Sequence, residues 1–540
     1  MDRRIAGAPF LAAILLASLA LRASGQEDST PEMPEIFNEP MPYFTIGLGP
    51  FSRTITTDSN EAQAFFNQGI QLMYSFTLMD AARSFREAQL RDSDCAMCYF
   101  GEVWAWGPYM NGPMGVGALP RAQAAIEKAL ELAPDHASRI ERELIDAMAV
   151  RYMGRTDRTP QLAVDTAYAE AMGRVYEANE ADLDVGYLFA ESLMLLEPRR
   201  GNWDIARAEI QRIHHILEEI LAKDIRHPGS CHLYIHSTES TTQPNKAEAC
   251  ADFLGGSIPG ASHINHMPSH TYNEVGRWGD GVRANQRAWH SDQAAEYGEG
   301  FAIYTSHNLH MLLFAASNDG QGAVAIQAGA DYTTATGGAQ YYEVLTRVRF
   351  GRFEDILAME GDDTENPIFK AFWDFGQGYA HLRAGHVDVA RGFLEAIQEG
   401  RGSAPEAAEF RGHSASDLLG IVGGILDGEI LREVGRTAEA IESFERALVI
   451  EDGLRYDEPE PLNFSVRDWL GAILLEVDRP VQAEAVYRAA IEDHPFNGWS
   501  LFGLEQALRA QGKVGEAEET AKILETSWAR ADVWIRASRF

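Results

Sequence analysis

Three stretches of the chain repeat one set of intervals, and no other feature narrows the fold as much. Gly69, Ala81, Phe85 and Ala88 are spaced by 12, 4 and 3 residues. Gly428, Ala440, Phe444 and Ala447 repeat those intervals, as do Gly471, Ala483, Tyr487 and Ala490, with Pro495 following. Residues three and four apart share one face of a helix. A small residue on the preceding helix lets two antiparallel helices approach closely, and the proline stops the second.

These intervals match the 34-residue tetratricopeptide pattern at its positions 8, 20, 24, 27 and 32. The expected fold is all-α, a TPR-type helical-repeat solenoid. Weaker copies fill the gaps: Ala122, Ile126, Ala129 and Pro134; Gly378 and Ala390; and Gly512 and Ala517, opened by Gly498 to Phe502.

Organisation follows from composition shifts. Arg3 and Arg4, an apolar stretch from Phe10 to Leu21, and the small residues Ala23, Ser24 and Gly25 have the order of a cleaved secretory signal peptide over 1–25. The alternative is a membrane anchor, for which the apolar run is short against the roughly 20 residues a spanning helix needs. Pro31, Pro34, Pro40, Pro42 and Pro50 mark an extended leader over 26–60. One array is expected over 61–403, a loop over 404–416 and a second array over 417–540. No later stretch is apolar enough for membrane insertion. The expected location is therefore the periplasm or outside the cell. A net charge of −34 repels nucleic acid and anionic lipid.

The middle of the chain carries the chemistry. With Pro228, Ser262 and Ser306 as first positions of three successive units, His232 and His236 fall at 5 and 9. His263, His266 and His270 fall at 2, 5 and 9, His307 and His310 at 2 and 5, and Glu239 at 12. At about 100° per residue these positions share a sector of roughly 80°. That sector points away from the face that packs inside each unit; His290 lies off it. His232/His236 and His266/His270 are i,i+4 pairs, the spacing by which one helix offers two nitrogens to one metal. His232, His236, His263, His266, His270, His307, His310 and Glu239 are the candidate ligands. Imidazole-rich sites suit zinc, copper, iron and nickel; export and the lack of a rich thiolate set favour copper, with zinc next. The competing reading is a hydrogen-bonded polar groove that binds peptide without metal.

Cys95-Ala-Met-Cys98 is not followed by histidine, which excludes covalent haem. It reads as a disulfide at a helix start, or as a redox pair or thiolate ligand. Cys231 and Cys250 fall on the two helices of one unit, where a disulfide would hold His232 in place. No HExxH, GxSxG or phosphate-binding loop occurs, so no nucleotide site is expected.

The strings Cys95-Ala-Met-Cys-Tyr-Phe-Gly101, His263-Ile-Asn-His-Met-Pro-Ser-His270, His307-Asn-Leu-His310 and Asn497-Gly-Trp-Ser-Leu-Phe-Gly503 resemble a group of exported bacterial tetratricopeptide-repeat proteins over most of residues 61–540. The resemblance implies the architecture and the importance of the histidine block, and supplies no reaction. In tetratricopeptide arrays the histidine-bearing face lines the concave groove. Three functions are in play. A copper-dependent oxidative enzyme would act on a small molecule in that groove. A scaffold would bind an envelope protein or peptide there. A storage or delivery protein would need the ligands alone.

Overall fold

The computed structural model describes residues 33–198, 201–361 and 364–540; the segment expected to be a signal peptide lies outside them. Helices follow one another as antiparallel pairs: Asn60–Tyr74 with Leu78–Arg91, Ala96–Trp106 with Ala118–His136, and so on to Gly498–Ala510 with Val514–Ser527. The protein is an all-α helical-repeat array of the TPR type. Among the described residues, strand structure is confined to Glu409–Phe410 paired antiparallel with His413–Ser414.

The repeated sequence intervals are one packing device. A Cβ on Gly69 would lie 2.5 Å from the Phe85 ring, and one on Gly101, in the next pair, 2.4 Å from the same ring. Tyr487 is held in the same way between Gly471 and Gly503. The aromatic at position 24 therefore fills a slot that only glycine leaves open on two successive first helices. The flanking alanines, Ala81 and Ala88, are buried. Each such aromatic contributes about 1.5–3 kcal/mol by leaving water.

The apolar core falls into two clusters. One runs from Met41 through Tyr272 and Phe301, the other from Trp278 to Ala517. They meet at the histidine-bearing helices. The hairpin at 409–414 does not part the structure: helices Pro367–Arg383 and Ala415–Glu433, on either side of it, pack on each other. Phe410 sits among Tyr341, Tyr342 and Phe369.

Two non-helical segments bind across the array. The proline-rich leader lies on the first helix pair, where Glu87, Gln68 and Gln71 accept from the backbone N–H groups of Met41, Phe44 and Gly49. Its Gly47 carbonyl accepts from Gly260, just ahead of the HINHMPSH string. Residues 528–540 run over the first helices of several later pairs. Asp532 accepts from the N–H groups of Gly322 and Ala323, and Arg539 pairs with Glu429 and Glu476. The Phe540 carbonyl accepts from Tyr379. No helix among the described residues is long and apolar enough to cross a membrane.

Candidate metal centre

Three neighbouring first helices carry the histidines: Pro228–Thr238, the run Ser262–His266 with Pro268–Glu274, and Thr305–Asn318. The middle run is interrupted where one continuous helix was expected. Pro268 has no N–H to donate, yet Met267 keeps helical angles (φ −49°, ψ −38°), so His266 and His270 still face the same way. Helix Pro228–Thr238 is buried along its whole length. Its Ser237 and Thr238 hydroxyls turn back onto the carbonyl of Tyr234.

The histidine face, expected to line the concave groove, is roofed over. His232, His236, Glu239, His263, His266, His270 and His310 are each no more than 2% exposed; His307 is half-buried. Phe76 supplies part of the roof, its ring centroid 4.2 Å from that of His232 and 5.5 Å from that of His263. Tyr304 lies 5.2 Å from His263 on another side. Phe76 and Tyr304 both adopt left-handed backbone, at φ 60° and 58°. Such conformations cost about 1–3 kcal/mol in a non-glycine residue and cluster at functional sites.

Hydrogen bonds fix the tautomers. The Tyr74 carbonyl, 2.6 Å from His232 Nδ1, accepts only, so that nitrogen carries the proton. Asn285 donates Nδ2 to the Gly281 carbonyl and turns Oδ1 to His266 Nδ1, at 2.7 Å. Glu239 places Oε1 2.9 Å from His236 Nδ1 and Oε2 2.5 Å from His270 Nδ1. Glu458 adds a second carboxylate 3.0 Å from His270 Nδ1. In the neutral form of each of the four rings the lone pair therefore belongs to Nε2. This is the arrangement by which outer residues orient imidazoles toward a metal.

Two consequences are electrostatic. His266 Nε2 and His270 Nε2 lie 2.8 Å apart, so a proton or a cation must sit between two lone pairs that otherwise repel. His263 has no hydrogen-bond partner on either ring nitrogen among the described residues, although it is buried. Leaving such a group unpaired costs about 1–3 kcal/mol. Burial opposes charge on His270, but Glu239 and Glu458 outweigh it and raise its pKa to about 10. Burial, then the charge on His270, lowers His266 to about 3. Burial and neighbouring imidazoles hold His263 and His307 well below the ordinary value.

The ligand atoms form three close sets, within each of which all lie inside 4.8 Å of one another: His232, His236 and His263; His266, His270 and His307; and His236, Glu239, His270 and Glu458. Such sets can hold metal ions. His310 joins none of them. Its ring stacks on Tyr342 at 4.1 Å. His290 is exposed on the far side of its helix. Cys231 is paired with Cys250, and Cys95 with Cys98; among the described residues no cysteine is free.

Glu458, Asn285, Tyr74 and Phe76 were not among the expected site residues. Glu458 comes from the acidic, proline-rich loop Tyr456–Pro461, far away in sequence. That loop also borders a cavity of about 600 Å³ whose wall includes His270, Asn273, Glu274, Trp278 and His494. The cavity reaches the centre at His270 and Glu458.

Comparison with protein-family models finds no match, and neither does comparison with curated proteins. Among solved structures, the chain is similar to the Cut9–Hcn1 hetero-tetramer of the APC/C at 12% identity, covering 90% of this chain and 79% of that one, with a TM-score of 0.28. It is also similar to the TPR domain of P58(IPK) at 12% identity, 84% and 98% coverage and a TM-score of 0.20. A third is the human IFIT1 dimer with PPP-AAAA, at 11%, 87% and 92%, with a TM-score of 0.27. Scores this low carry no argument about the site, and the repeat architecture rests on the helix pairs themselves.

Proposed function

We propose that this helical-repeat protein is an exported metalloprotein whose buried histidine cluster binds copper, with zinc the next choice, and that it is a metal-dependent oxidative enzyme acting on a small molecule. The observation that carries the metal is the common tautomer of His232, His236, His266 and His270, each with Nδ1 held by an oxygen acceptor. A polar groove built for peptide has no need of four imidazoles with their lone pairs on the same nitrogen. The cavity beside His270 supports an enzyme over a store, because it lets a small molecule approach the centre. The two cysteine pairs suit an oxidising compartment.

A second reading, a scaffold for a protein or peptide partner, has the repeat fold in its favour. Against it, residues 528–540 already cover first-helix surface in the later pairs, at Tyr379, Glu429 and Glu476. The test is elemental analysis of tag-free protein, with His266→Ala/His270→Ala beside His290→Ala. Bound copper or zinc in the native protein and in His290→Ala, lowered in the double variant, is the expected result. Metal-free native protein, or metal unaffected by the double change, overturns the reading and leaves the scaffold.

A further inference from the structure

The two histidine triads are copies of one another. With Pro228, Ser262 and Ser306 as first positions, His232 and His236 occupy positions 5 and 9 of one unit and His263 position 2 of the next. His266 and His270 again occupy 5 and 9, and His307 is position 2 of the unit after. Each triad thus takes an i,i+4 pair from one first helix and a single imidazole from the start of the next.

The series stops on both sides. Position 2 of the first unit is Gly229, where a Cβ would lie 2.5 Å from the Tyr74 ring, so no side chain fits. Position 9 of the third unit is Phe314, so His310 has no i+4 partner. The array builds two complete triads and leaves the third unfinished.

We propose that the centre holds two metal ions, one on His232, His236 and His263 and the other on His266, His270 and His307. This rests on the metal-binding reading above and adds the number of ions and their division. One carboxylate serves both triads, because Glu239 orients His236 with one oxygen and His270 with the other. The surroundings of the triads differ. Phe76 covers the first, over His232 and His263. In the second, His270 borders the cavity, and none of the other five ligands does. The second ion is therefore the one a small molecule reaches, and the first is enclosed. Three imidazoles leave each ion short of four ligands, so the second keeps a position that an exogenous ligand can take.

The test is titration of the chelator-treated full chain with Co(II), followed by its visible d–d bands. Two equivalents are expected in the native protein and one in each of His263→Ala and His307→Ala. Azide should shift the bands of His263→Ala, which keeps the cavity-facing ion, and leave those of His307→Ala unchanged. A single equivalent in the native protein overturns the two-ion proposal and leaves the metal-binding reading standing; no binding overturns both. Azide acting on the wrong variant overturns the assignment of the accessible ion. Should either variant lose its helical circular dichroism, the native stoichiometry decides alone.

Discussion

Replacing Glu239 by Gln changes little in volume and removes one acceptor. The carboxylate takes Nδ1–H from His236 on Oε1 and from His270 on Oε2. A carboxamide has one oxygen and one NH₂ group, so one of the two imidazoles must face a donor. That ring turns its lone pair to Nδ1 and presents N–H where the metal needs an acceptor. His270 keeps Glu458 on the same nitrogen, at 3.0 Å, so the amide oxygen is best used by His270 and the ring that loses its orientation is His236. A hydrogen bond to a charged group contributes about 1.5–3 kcal/mol. Outer residues of metal sites change affinity by about 10–100-fold, which corresponds to about 1.4–2.7 kcal/mol. Glu239→Gln should therefore weaken metal binding by about that factor in competition titrations against a chelator of known affinity, with unchanged helical circular dichroism. A change of less than about threefold in folded protein refutes the orienting role, because the two Nδ1 contacts would then be incidental to binding.

Arg539→Met removes a partner from Glu429, which is fully buried and keeps only Arg432 at 3.1 Å. The expected loss in urea unfolding is about 3 kcal/mol, at the low end for a broken buried pair because Arg432 remains; adding Glu429→Met should restore most of it. Glu191, whose Oε2 accepts from Trp104 Nε1, is raised by burial from 4.5 to about 7, with Arg151 and Trp104 opposing. A carboxyl raised in the folded state contributes stability below its unfolded pKa that is lost as pH rises through the folded one. Native stability should thus fall between about pH 4.5 and 7 through this group, and Glu191→Gln should flatten that segment of the melting-temperature profile.

The fold was legible because its main device is local. Gly69, Phe85 and Gly101 lie within one repeat length, and the intervals between them carry the packing directly. The i,i+4 pairs were legible for the same reason, as was the exclusion of His290. What the spacing did not reveal is contact between distant segments. Glu458 reaches His270 from a loop almost two hundred residues on, and no periodicity links an Asp-Glu-Pro-Glu-Pro string to an imidazole. Phe76 lies in a turn of the first helix pair, and only the curvature of the array brings it over His232. His310 shares the angular sector of the ligands, but the sector does not tell that Tyr342 waits beside it as a stacking partner. The expected concave groove became a closed centre because Phe76, Tyr304 and the acidic loop cover it, and none of them follows from the repeat register.

Arrays in which each unit touches only its neighbours come apart by fraying, one unit at a time from either end. Residues 528–540 remove that route from the second half of this protein. They reach Gly320, Tyr379, Glu429, Asp468 and Tyr487, which lie on or beside four different helix pairs. No one of those pairs can open without breaking a contact to a segment the others also hold. The block from about 305 onward should thereby unfold as a single cooperative unit, although its sequence is that of a modular one. Glu458 and the loop around it belong to that block, so His307 and the carboxylate against His270 inherit its rigidity.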